Sequence, residues 1–161
     1  MKKYRSLSLQ SLLIYYLYSR QLNIRKEING NDIIIMTKMI LLIDDEPDVT
    51  YTIKTILEDN GFKVDSFNDP ILAFNYYKVN FYDLVILDIK MPKMDGFELY
   101  TKIREKDPKV KICFLTAIAA FNEEFRKIRL VLGKTINEDY FIQKPVEMED
   151  LLKKLTSIMN I

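Results

Sequence analysis

From Met39 onward, short apolar runs recur along this 161-residue chain, and each ends on polar chemistry. Met39-Ile-Leu-Leu-Ile43 is followed by Asp44 and Asp45, and Leu84-Val-Ile-Leu87 by Asp88. Val110-Lys-Ile-Cys-Phe-Leu115 is followed by Thr116, and Tyr140-Phe-Ile-Gln143 by Lys144 and Pro145. Near-continuous apolar runs of this length read as strands buried on both faces. Phe62-Lys-Val-Asp-Ser-Phe67 alternates instead, which suits a more exposed strand.

Helical patterns separate these runs. Pro47 fits a first helical turn, and Val49, Ile53, Ile56 and Leu57 then share one face. Asn60-Gly61 stops that helix, because Gly takes the left-handed cap conformation without strain. Asp69-Pro70 opens a second helix as cap and first residue. Phe97, Tyr100 and Ile103 mark a third, ending near Asp107-Pro108. A fourth is expected from about Phe121 to Leu132, and a fifth carries Leu151, Leu152, Leu155, Ile158 and Met159 on one side.

The order is strand–helix five times over. Such alternation predicts an α/β fold: a doubly wound, flavodoxin-like parallel sheet of five strands, order 2-1-3-4-5, flanked by five helices. Its ligand crevice lies outside the carboxyl ends of the strands, beside strands 1 and 3. Asp44, Asp45 and Asp88 end those two strands, so fold and chemistry point to one place.

Three carboxylates, one hydroxyl and one ammonium in one crevice suit a divalent cation and a phosphoryl group. Mg²⁺ takes oxygen ligands, commonly one or two carboxylates plus a phosphate. Asp45 is the expected direct ligand, with Asp44 direct or through water. Asp88 is the candidate nucleophile, because a carboxylate can attack phosphorus. Lys144 offers a point positive charge to phosphate oxygens, and Thr116 a hydroxyl donor. Pro145 is a candidate for a cis bond that directs Lys144. Each residue has a plain structural reading alone: an Asp pair as a cap, a Thr as a strand end, Lys-Pro as a turn. Their recurrence at successive strand ends is what argues for a shared site.

Composition narrows the chemistry. The chain has no histidine, which excludes His-ligated zinc, a Ser-His-Asp triad and a phosphohistidine of its own. Its one cysteine, Cys113, sits in an apolar run and reads as a core thiol of a reducing, cytoplasmic compartment. Net charge is +1, too small to imply a nucleic-acid field. The charge is uneven: residues 1–35 hold six Lys/Arg against two Asp/Glu, and the remainder 18 against 21.

Four segments carry a family resemblance: Leu42-Ile-Asp-Asp-Glu-Pro47, Asp88-Ile-Lys-Met-Pro-Lys-Met-Asp-Gly96, Leu115-Thr-Ala117 and Phe141-Ile-Gln-Lys-Pro145. Together they resemble the receiver domain of two-component response regulators, over about residues 38–160. The resemblance implies that Asp88 is the phospho-acceptor and that Asp44 and Asp45 form a Mg²⁺ pocket completed by the Lys90 backbone carbonyl. It implies that Thr116 and Lys144 bind the phosphoryl group, and that Phe141 is the switch aromatic, moving with Thr116. The output surface would be the face of the fourth helix, fifth strand and fifth helix.

The stretch between Thr116 and Phe141 is longer and more polar than the family pattern, with Gly133 to Asp139 in place of a short turn. It reads as a surface insertion or as an altered partner face. Residues 1–37 lie outside the resemblance and read as an N-terminal extension to a receiver spanning 38–161. Leu9, Leu12, Leu13, Tyr16 and Leu17 follow helical spacing between basic flanks, over a stretch too short to span a membrane. Three readings stay open: a basic amphipathic helix touching membrane or partner through residues 1–35, a helix docked on the receiver, or a stretch upstream of a start at Met36 or Met39.

The function expected is that of a stand-alone receiver, phosphorylated on Asp88 by a histidine kinase or a His phosphotransfer protein, with protein contacts as output. No enzyme activity beyond its own phosphotransfer and autodephosphorylation is expected, and the downstream protein is not specified. A relay intermediate or phosphate sink is the alternative. A metal-dependent phosphatase of the haloacid dehalogenase type would want a second Asp two residues after Asp88, where Lys90 stands.

Overall fold

The computed structural model describes residues 24–29, 32–117 and 140–159. Five strands form one parallel sheet: β3 (Met39–Ile43), β4 (Lys63–Phe67), β5 (Leu84–Asp88), β6 (Lys111–Thr116) and β7 (Phe141–Gln143). Their order across the sheet is β4-β3-β5-β6-β7, the expected 2-1-3-4-5 arrangement. Chain order reverses between β3 and β5, which opens the crevice at the carboxyl ends of those strands.

The apolar runs are explained by two cores. Successive strand side chains point to opposite faces. Ile40 and Leu42 of β3 therefore join Leu84, Ile86, Cys113 and Leu115 on one side. There they meet Ile53 and Leu57 of α1 (Pro47–Asp59) and Leu151 and Leu155 of α4 (Met148–Met159). Leu41 and Ile43 join Val85, Leu87, Ile112 and Phe114 on the other side. Ala73 of α2 (Pro70–Tyr76) and Leu99 and Ile103 of α3 (Gly96–Lys106) cover them. All four apolar side chains of Ile40–Ile43 are fully buried, and each contributes about 1.5–3 kcal/mol by leaving water.

The helix signals are realised as read. Pro47 begins α1, Asn60 caps its end and Gly61 follows with φ 84°. Asp69 caps α2, its side chain accepting from the N–H groups of Ile71 and Leu72 at 2.9 and 3.1 Å. Asp95 caps α3 in the same way through Phe97 and Glu98. Asp107 ends α3 and is buried: its carboxylate accepts from the Tyr77 hydroxyl, the Asn80 N–H and the Val110 N–H, pinning two loops together.

Four helices stand among the described residues; the fourth of the five expected, Phe121–Leu132, lies outside them. So does the helical spacing of Leu9–Leu17. The later part of the extension is not helical. Ile24–Asn29 (β1) and Asp32–Thr37 (β2) pair antiparallel, with Ile24 opposite Thr37 and Asn29 opposite Asp32. The β-branched run Ile33-Ile34-Ile35 favours strand, and Asn29-Gly30 is a turn signal. Among the described residues, no helix is long and apolar enough to cross a membrane.

Candidate functional site

Where β3 runs out, the backbone turns and a network of amides holds it. The Asp44 N–H donates to Phe67 O at 3.2 Å, tying the end of β3 to the end of β4. Asn68 Nδ2 donates to Asp44 O at 2.7 Å and to Thr50 Oγ1 at 2.9 Å, which fixes the loop against α1. Asp44 Oδ1 accepts from the Glu46 N–H at 3.0 Å. The Asp44 side chain is thereby aimed into the crevice, fully buried, with Asp45 half-buried beside it.

Asp88 closes β5 and is almost fully buried. The following loop is folded tightly. Ile89 N–H donates to Leu115 O at 3.1 Å, and Gly96 N–H donates back to Ile89 O at 2.9 Å. This leaves so little room at Gly96 that a Cβ there would lie 2.2 Å from Asp88 O. Lys90, the expected carbonyl ligand, sits in this loop with its side chain exposed.

Lys144 arrives from the end of β7. Its N–H donates to Thr116 O at 2.7 Å, and the Lys144-Pro145 bond is cis. The ammonium lies 2.8 Å from Asp44 Oδ2, 2.9 Å from Glu46 Oε1 and 3.0 Å from Asp88 Oδ1. Asp44 Oδ2 is fully buried, and its contact is the ion pair with Lys144.

The charges are unbalanced in a dry place. Burial raises the Asp44 carboxyl above its usual range, against the pull of Lys144 and the Glu46 amide. Burial also raises Asp88, and the charges of Asp44 and Asp45 add to that, with Lys144 opposing. Burial acts to lower the Lys144 ammonium, but the carboxylates of Asp44, Glu46 and Asp88 outweigh it and hold the pKa above its ordinary value. Among Asp44, Asp45, Asp88 and Lys144, three formal negative charges face one positive.

A hard cation fits what remains. One carboxylate oxygen from each of Asp44, Asp45 and Asp88 lies within 4.8 Å of the others. Octahedral Mg²⁺ places neighbouring oxygens about 2.9 Å apart and opposite ones about 4.2 Å apart, so the three carboxylates would draw in by up to roughly 2 Å to share one ion. Asp44 Oδ2, fully buried against the Lys144 ion pair, is the atom with most to gain.

Thr116 is buried at the end of β6, one residue beyond the Asp88–Leu115 pairing. Phe141 lies on the apolar side, 4 % exposed, stacked on Phe114 at 5.2 Å and 20°. Phe97 and Tyr100 of α3 pack on the same Phe114 ring at 5.4 and 5.5 Å. The structure thus brings Asp44, Asp45, Asp88 and Lys144 into one cluster. It sets Thr116 beside Lys144 through the backbone and places Phe141 in the layer behind. Sequence alone assigns no role to Glu46 or Asn68; Glu46 stands there only as a member of the Leu42–Pro47 segment.

Residues 40–156 match the response regulator receiver domain. The chain belongs to that family. Its relatives include the transcriptional regulatory protein DltR of Streptococcus agalactiae, 32% identical over 72% of this chain and 49% of its own length. The chain spans about half the length of the curated relatives it matches first. The non-phosphorylated HemR receiver domain of Leptospira biflexa superposes with TM-score 0.66 at 30% identity, covering 78% of this chain and 96% of that one. A CheX–CheY–BeF3–Mg²⁺ complex from Borrelia burgdorferi gives TM-score 0.63 at 30% identity, covering 75% and 88%. Receiver domains are signalling modules of two-component systems, and they work through histidine kinases and downstream partners.

Proposed function

We propose that this receiver accepts a phosphoryl group on Asp88 with Mg²⁺ and signals by protein contact. The observation that carries the proposal is the Lys144 ammonium held at 2.8 and 3.0 Å from Asp44 and Asp88, beside a carboxylate triad close enough to draw in around one cation. Asp44, Asp45 and Asp88 would hold the metal, with the Lys90 carbonyl as a further ligand. When bound, Mg²⁺ neutralises the acid cluster and orients the phosphoryl oxygens.

An Asp88 oxygen attacks phosphorus, the bond from phosphorus to the donor breaks, and the electron pair leaves with the donor. The chain has no histidine, so a partner phosphohistidine or a small phosphodonor supplies the group. Lys144 shifts from the Asp88 carboxylate to a phosphoryl oxygen, and the Thr116 hydroxyl donates to another. The added charge draws Thr116 inward, and Phe141 moves toward the space it vacates. Water attacking phosphorus later restores the carboxylate and releases inorganic phosphate.

Residues 38–161 make up the receiver in this reading, with 1–37 as an extension; membrane contact, if any, belongs to residues 1–35. The downstream partner is a protein, since a net charge of +1 supplies no field for nucleic acid. Incubation with acetyl phosphate and Mg²⁺ should add one phosphoryl group by intact mass, and none should form when a chelator is present from the start or in Asp88→Asn. An adduct that persists in Asp88→Asn would sink the assignment.

A further inference from the structure

Glu46 stands at the N-cap position of α1, yet its side chain makes no capping bond. Its carboxylate instead reaches across 98 residues of sequence to Lys144, 2.9 Å away. The three carboxylates on that ammonium are not equivalent. Asp44 and Asp88 are 0% and 5% exposed at the side chain, whereas Glu46 is 62% exposed. Asp44 and Asp88 are also two of the three carboxylates that would hold a cation, and a cation entering there would repel the ammonium. Lys144 must then withdraw, and Glu46 is the partner on the solvent side.

We infer that Glu46 is a positioning residue, an outer anchor that holds Lys144 back when a divalent cation occupies Asp44, Asp45 and Asp88. This rests on the metal-holding reading above but adds a residue to which that reading assigns nothing. With Glu46 in place, the ammonium keeps an ion pair as it yields the inner carboxylates. Without it, Lys144 has only Asp44 and Asp88, and competes with the metal for both. Glu46 thus favours metal entry by contact with Lys144 and not simply by adding negative charge.

Contact and charge can be separated. Mg²⁺ affinity is measured by titration calorimetry on the full chain for wild type, Glu46→Gln, Glu46→Asp, Lys144→Met and the double variant Glu46→Gln/Lys144→Met. Glu46→Gln should weaken Mg²⁺ about fivefold, in line with the coupling of an exposed ion pair. Glu46→Asp keeps the charge but shortens the reach, and should weaken binding to a similar extent. In the Lys144→Met background, Glu46→Gln should change affinity less than about twofold, because the residue it acts through is gone. An equal loss in both backgrounds, or wild-type affinity for Glu46→Asp, reduces Glu46 to a field effect and overturns the inference. Tighter binding in Glu46→Gln also overturns it. If wild type itself binds no Mg²⁺, the metal-holding reading fails and the inference with it; Mg²⁺ binding without the contrast between backgrounds removes Glu46 alone. Urea midpoints for each variant establish that the compared chains are folded.

Discussion

Gly96→Ala puts one methyl group where the fold has no room. An ideal Cβ at Gly96 would lie 2.2 Å from Asp88 O, 2.9 Å from Ile89 Cα and 3.1 Å from Asp88 C. Real Cβ contacts essentially never fall below 3.0 Å, so helix and strand must part by at least 0.8 Å. The obstacle is backbone, and the strand is central and buried on both faces, so no flexible side chain can yield instead. Overpacking of this kind costs about 1–3 kcal/mol, here toward the upper end. Alanine returns at most about 1 kcal/mol of helix propensity, less in a first turn. A net loss of about 2 kcal/mol follows. At about 2 kcal/mol per molar in urea, the unfolding midpoint should drop by about 1 M. The displaced atoms carry Asp88, so Mg²⁺ affinity should fall as well. Gly61→Ala is the control: its φ of 84° makes alanine strained by roughly 1–2 kcal/mol, but far from Asp88, so stability falls and Mg²⁺ affinity does not. A Gly96→Ala midpoint equal to or above wild type would refute the steric reasoning. A lowered midpoint with unchanged Mg²⁺ binding would refute the link to the site.

Asp88→Asn should raise the melting temperature at pH 7 without Mg²⁺. Its folded pKa is raised above 3.8, so ionisation costs stability as pH climbs through the folded value, and the gain should vanish in melts below pH 3.8. Asp107 behaves oppositely. Burial acts to raise its carboxyl, but hydrogen bonds from Asn80, Tyr77, Val110 and Lys109 hold it below 3.8. Its contribution is full above pH 3.8 and lost as pH falls through the folded value. Asp107→Asn should therefore cost about 1–3 kcal/mol in urea unfolding at pH 7 and flatten the acid transition. The fully buried Cys113 thiol is pushed up to about 12, so a thiol reagent should label it in urea and not in the native protein.

Much of this was legible because the strand runs carry two messages at once. Unbroken apolarity in Ile40–Ile43 and Leu84–Leu87 reads as burial on both faces, and the residue after each run reads as crevice chemistry. Caps such as Asp69-Pro70 are local, and local signals survive in sequence. What stayed hidden needed distant partners. Glu46 has meaning only beside Lys144, and Gly96 only beside the backbone of Asp88. The β1–β2 hairpin was missed for another reason. Its signals, the Ile33-Ile34-Ile35 run and the Asn29-Gly30 turn, are short and follow a stretch of helical spacing, so neither period dominates the extension.

The rings around Phe114 set the grain of any response. Phe141 lies flat on it from one strand, and Phe97 and Tyr100 lean on it from a helix. An aromatic plate cannot slide by small degrees in such a stack, because a part-turned ring collides with its neighbours while leaving a void behind. In the switch proposed above, such packing would favour a few discrete settings over a graded shift. A signal arriving at the strand ends continuously, as concentration or charge, would then leave this layer as a choice between alternatives.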